Sequence, residues 1–198
     1  MRFFNIIMIV LTLSMLPSNL YQPKHNRISQ DIENEEVKKA YNLLNDIRKD
    51  PKAYSEIAGV DLSGIQARDA LVWNETLAKV AQAKAEDMAR RNYFAHVDPD
   101  GYGTNYKINA AGYKLPDDWC SPISKNYFES IAAGNESGEK SIIQLIYDSG
   151  KNNDNAGHRK HLLGIDNFWG NCTDIGIGTA TGGTYKHYWC VIIAKHNF

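Results

Sequence analysis

The chain has 198 residues, 43% of them hydrophobic, which is enough apolar mass for one well-formed core and suits a single domain once an N-terminal segment is set aside. Its 22 basic and 23 acidic side chains leave a formal charge of -1, which excludes the clustered basic excess that nucleic-acid binding requires. A polybasic membrane-surface patch is absent for the same reason.

Arg2 precedes an almost wholly apolar run from Phe3 to Leu16, and Pro17 breaks it. Residues 1–22 therefore read as a secretory signal peptide, the run being too short and too poorly flanked for a spanning helix. An uncleaved anchor is the alternative reading. Residues 23–34 are polar and aperiodic and read as a flexible linker before a domain spanning 35–198. Cleavage implies an extracellular protein without stable membrane insertion.

Val37, Ala40, Tyr41, Leu44 and Ile47 recur at helical spacing until Asp50-Pro51 stops the run, since proline disfavours helical backbone in the residue before it. A brief helix can start on Pro51 and finish at Gly59. Leu71-Val72-Trp73 leads to Asn74, which suits the N-cap of a long helix carrying Leu77, Val80, Ala81, Ala85 and Met88 on one face and ending near Asn92. His96 thus falls just past a helix end. Thr104 to Ala111 reads as a short helix closed by Gly112, and the segment through Pro116 and Pro122 as a loop.

Tyr127 to Ala132 reads as a strand in which Tyr127, Glu129 and Ile131 share one face. Ser137 suits the cap of a helix carrying Ile142, Ile143, Leu145 and Ile146, with Asp148 in its last turn and Gly150 beyond. A polar loop from Lys151 to Gly157 precedes a short helix, His158 to Leu163. Two strands follow, Asp174 to Ala180 and Tyr185 to Ala194, joined by the turn signal Gly182-Gly183. Helices interspersed with hairpin-joined strands favour an α+β layered domain.

His96, Glu129 and His158 are the candidate site. Two neutral imidazoles can bind a dication such as zinc, and a carboxylate can ligate it or fix an imidazole tautomer. Without a metal the same groups make a polar cleft with a histidine poised near neutral pH. Asp148 is a candidate second carboxylate or merely the polar end of its helix. His161 stands one turn from His158 and either joins it or faces solvent, the latter being the simpler reading. A packing role is the default for His187. His-Glu-x-x-His, Gly-x-Ser-x-Gly, phosphate-loop and dinucleotide motifs are missing, which favours a binding cleft over an enzyme.

In an oxidising compartment Cys120, Cys172 and Cys190 would give one bridge and one leftover thiol. Cys120 with Cys172 is the favoured pair, because both look like loop residues whereas Cys172 and Cys190 flank a hairpin out of register. Neither Cys120 nor Cys172 has a basic neighbourhood in sequence suited to a nucleophile. Three sequons, at Asn74, Asn135 and Asn171, matter only in a glycosylating host.

Leu71-Val72-Trp73-Asn74-Glu75-Thr76-Leu77, Phe94-Ala95-His96, Glu129-Ser130-Ile131-Ala132-Ala133-Gly134 and Gly157-His158-Arg159-Lys160-His161-Leu162-Leu163 resemble, in order, successive blocks of the CAP superfamily (SCP domain) of cysteine-rich secretory, antigen 5 and pathogenesis-related proteins. Ile175-Gly176-Ile177-Gly178 and Tyr188-Trp189-Cys190-Val191 resemble its closing strands. The resemblance implies a three-layer α-β-α sandwich with an antiparallel central sheet. It also implies a cleft of His96, Glu129, Asp148 and His158, with Asp148 standing where the family usually has glutamate. Zinc or another divalent metal would then bind mainly through His96 and His158, and His161 fills a slot often held by asparagine. The expected protein is secreted and binds a small-molecule, lipid or protein partner. A metal-assisted, protease-like hydrolase and a sterol or fatty-acid binding protein are the alternatives.

Overall fold

The computed structural model describes residues 34–195, so the expected signal peptide and nearly all of the linker lie outside the described residues. The first helix, α1, runs Glu35–Lys49, and the Asn34 side chain caps it by accepting the N–H groups of Glu36 and Val37. Asp50 then caps a 3-10 turn, Pro51–Tyr54, which continues into α2, Ser55–Ala58, and ends on left-handed Gly59. Strand β1, Val72–Trp73, leads into α3, Glu75–Arg91, whose first N–H groups are taken by Asn74. Helix α4, Thr104–Ala110, and strand β2, Glu129–Ala133, follow.

Ser137 caps α5, Gly138–Tyr147, and the chain leaves that helix through Asp148 in the left-handed region, φ 44°. Helices α6, Gly157–Leu163, and α7, Asn167–Gly170, precede the hairpin of β3, Asp174–Gly182, and β4, Lys186–Ala194. The four strands lie in the order β1-β3-β4-β2. β3–β4 and β4–β2 are antiparallel, but β1 pairs parallel with β3, so the sheet is mixed rather than purely antiparallel. The difference arises because the chain crosses from β1 to β3 through several helices instead of a hairpin, a connection that permits parallel pairing.

The two sheet faces carry different layers. On one, Gly176 and Gly178 let α3 lie directly on β3: a Cβ there would stand 2.1 Å from Ala78 N or 2.2 Å from Gln82 N. Ile192 pairs with both Gly176 and Glu129, so the Glu129 side chain belongs to this face. The opposite face presents Ile177, Val191 and Ser130 to the layer of α1, α5 and α6. The core spans both layers, from Tyr41 and Leu44 through Ile175 and Val191 to Leu77 and Met88. This is the α-β-α sandwich, with β2 at the sheet edge. Among the described residues no helix is long and apolar enough to cross a membrane.

Candidate functional site

The cleft sits astride the edge strand β2. From the α3 side comes His96, in the loop after that helix. Its backbone is held by Lys84, a lysine on the buried stripe of α3 whose ammonium donates to the carbonyls of Ala95 at 2.7 Å and His96 at 2.9 Å. Burial lowers the Lys84 pKa while Glu129 nearby supports its charge. Lys84 is not among the candidates marked by the sequence, although its helical spacing from Ala81 and Met88 places a cation on the apolar face.

Glu129 projects from β2 with its side chain fully covered. One oxygen lies 2.8 Å from His96 Nδ1, and the other accepts the Thr104 hydroxyl at 2.5 Å. A buried carboxylate needs such partners. The Cys190 thiol, 3.7 Å from the second oxygen, has its pKa pushed up by burial and by the Glu129 charge.

From the opposite layer comes His158, at the second residue of α6. Asp148 accepts its backbone N–H at 2.9 Å and approaches its ring Nδ1 at 3.2 Å, with Lys151 Nζ at 3.6 Å. Burial alone would raise the Asp148 pKa, but the His158 charge, its two hydrogen bonds and Lys151 outweigh it and hold the carboxyl below its ordinary value. Asp148 is thus a buried partner rather than a frayed helix end. Its left-handed backbone turns the short side chain back onto α6.

The rings of His96 and His158 stand 6.4 Å apart between centroids. Both Nδ1 atoms face carboxylates, and neither Nε2 has a hydrogen-bond partner among the described residues. The hollow between them has a volume of about 300 Å³, with Tyr127 and Trp169 in its wall. The donor chemistry suits an ion bound by two imidazoles whose tautomers are set by acids. Among the described residues no group of three or more His, Cys, Asp or Glu side chains is arranged to hold a metal ion.

His161 does not face solvent. It is buried, its Nδ1 is 2.7 Å from Ser130 Oγ and its Nε2 is 3.2 Å from the Ile193 carbonyl. A carbonyl only accepts, so Nε2 carries the proton and Nδ1 accepts from the serine hydroxyl. Burial pushes the pKa down to about 3, against the support of the Ile193 bond, so the ring is neutral and both nitrogens are occupied. Helix α6 is covered on both sides, which helical spacing alone did not reveal. Ser130 escaped notice because both faces of β2 are covered, so strand alternation marks no exposed side.

The expected Cys120–Cys172 bridge is not formed, and all three cysteines are free thiols. Cys120 sits against the Asn105 carbonyl and Cys172 against that of Phe168, in separate neighbourhoods. Burial pushes the Cys172 thiol up to about 12.

A mixed-sheet sandwich with a two-histidine, two-carboxylate cleft astride its edge strand defines a class of protein. The chain belongs to the CAP: Cysteine-rich secretory protein family, whose family model matches residues 41–193. In structure it resembles an outer surface protein of Borrelia burgdorferi, at 16% identity and a TM-score of 0.55, over 83% of this chain and 95% of that one. It also resembles the venom allergen-like protein 4 of Schistosoma mansoni, at 18% identity and a TM-score of 0.51, over 83% of this chain and 91% of that one. An extracellular SCP-domain protein of Bacillus anthracis matches at 24% identity and a TM-score of 0.49, over 84% of this chain but only 43% of that longer one. No curated protein sequence matches the chain.

Proposed function

We propose that the protein is a secreted CAP domain that binds a ligand or partner through a cleft able to take a divalent cation at the Nε2 atoms of His96 and His158. Residues 1–22 would serve as signal peptide and 23–34 as tether to the domain of 35–198. The observation that carries the reading is the matched pair of contacts, Glu129 on His96 Nδ1 and Asp148 on His158 Nδ1, which leaves one nitrogen of each ring without a partner among the described residues. A zinc ion bound there would supply Lewis acidity and an anchor for an oxygen-bearing ligand. The chain's own part is to orient the rings and to present an open, aromatic-walled hollow.

Binding is favoured over hydrolysis because both Glu129 oxygens are committed, to His96 and Thr104, and the Ser130–His161 pair has too weak a base to activate a nucleophile at neutral pH. Calorimetric titration of the purified protein with zinc should show binding that disappears in a His96→Ala, His158→Ala double variant. Unchanged binding in that variant removes the assignment. In a peptide and ester screen, chelator-sensitive turnover lost in Glu129→Gln would establish the hydrolase instead.

A second observation favours a lipid-binding reading. Leu43 of α1, Ile57 of α2 and Ile143 and Tyr147 of α5 line an apolar groove of about 720 Å³, with Ile57 64% and Tyr147 45% exposed. Its volume and lining suit a fatty acyl chain. Solvent extraction should release a fatty acid that is lost in Ile143→Asp, and a clean extract from the native protein counts against this reading.

A further inference from the structure

A separate hollow of about 450 Å³ shares no residue with the histidine cleft. Two arginines meet in it. Arg48, from the last turn of α1, is 3% exposed, yet it has only two side-chain hydrogen bonds, from Nη1 to the Leu162 carbonyl at 2.8 Å and from Nε to the Asp69 carbonyl at 3.4 Å. Arg68 is tied alongside through its backbone N–H, which donates to the Arg48 carbonyl at 2.8 Å. Its guanidinium makes no hydrogen bond to any described residue, although Nε is buried. Gly170 makes room for it, since a Cβ there would stand 2.7 Å from Arg68 Nη2.

An unpaired, water-excluded guanidinium donor is costly. Arg68 Nε is such a donor, and Arg48, bonded only to two carbonyls, stands beside it; neither forms an ion pair with a described carboxylate. Asp69, the acid in the wall, is exposed and lies beyond ion-pair distance of both. Lys49 adds a third cation at the rim. Burial first, and then repulsion from Arg68, brings the Arg48 pKa down to about 10 against weaker support from Cys172 and Asp69, which fits two guanidinium groups held close together.

The geometry points to an oxyanion site of the phosphate type, in which the free donors of Arg48 and Arg68 bind the oxygens of one phosphate group. Guanidinium forks match paired oxygens, and a dianion balances two fixed cations where a carboxylate balances one. Free phosphate, a phosphorylated small molecule and a lipid headgroup share this chemistry.

The test is titration of the full chain with inorganic phosphate, followed by calorimetry and phosphorus NMR at constant ionic strength. Saturable binding is expected, weakened at least about tenfold in Arg68→Gln, the equivalent of one charge-assisted hydrogen bond. Because the Arg68 guanidinium makes no hydrogen bond or ion pair to any described residue, Arg68→Gln should melt no lower than wild type without phosphate, and Arg68→Lys provides a second folded variant. The His96→Ala, His158→Ala variant should bind phosphate as wild type does, which separates this site from the cleft. Tighter binding of glycerol phosphate than of phosphatidic acid vesicles assigns a soluble ligand, and the reverse assigns a headgroup; either supports the site. No saturable phosphate binding, or binding unchanged in both Arg68 variants, overturns it.

Discussion

Asp148 and His158 are joined twice, by a carboxylate oxygen 2.9 Å from the backbone nitrogen and by the other oxygen 3.2 Å from ring Nδ1. One side chain therefore starts α6 and sets the ring that α6 presents. Asp148→Ala should cost ~1–2 kcal/mol of stability through the lost cap, and weaken zinc binding roughly 10- to 100-fold through the lost ring partner. Asp148→Asn keeps an acceptor for the backbone N–H and should recover most of the stability. Urea unfolding and zinc calorimetry check both, and equal instability of the two variants would refute the capping role.

Lys84 is expected to position His96. Lys84→Met retains the apolar stem but leaves the carbonyls of Ala95 and His96 without their donor, at a cost of ~1–3 kcal/mol. Amide exchange should quicken across residues 93–98 while the centre of α3 stays protected. Unchanged exchange in that loop would show that the ammonium does not hold it.

Close approach of α3 to the sheet depends on bare backbone in β3. Gly178→Ala should destabilise by ~1–3 kcal/mol or more, because the new methyl meets Gln82 N at 2.2 Å. Gly64→Ala, where nothing lies within 4 Å, is the control and should stay within ~0.5 kcal/mol. Thermal melts of the two variants compare them directly.

Acid sensitivity should centre on His161. Its folded pKa of about 3 lies below the ordinary 6.5, so between these values the unfolded chain takes up a proton that the folded one refuses. Stability is then full above pH 6.5 and falls toward pH 3, with a slope approaching ~1.4 kcal/mol per pH unit. Asp148, whose carboxyl is held below its ordinary value, adds loss in the same direction at the acid end. His161→Asn should flatten the dependence of urea midpoints between about pH 7 and about pH 4. An identical slope in that variant would move the effect to other groups.

The helices were legible in the sequence because their information is local. Asn74 and Ser137 accept the N–H groups that their cap positions require, and Leu77 through Met88 face the sheet as their spacing demands. The two halves of the cleft were less so. Glu129 could be suspected from a carboxylate among apolar neighbours, but its Thr104 partner lies on another element. The inward turn of Asp148 depends on a left-handed backbone that no glycine announced. The parallel pairing of β1 was hidden for a related reason: Val72 and Trp73 are too few to show alternation, and only the register with Asp174 and Ile175 makes them a strand. His161 and Ser130 were invisible as a pair, since neither residue alone signals that both sides of its element are covered.

Because one ring hangs from the α3 layer and the other from the α5–α6 layer, the gap across β2 acts as a caliper whose jaws are mounted on opposite plates. Any slide of one plate against the sheet changes the jaw opening while contacts inside each plate persist. A loop exchanged on one plate would therefore move a single jaw.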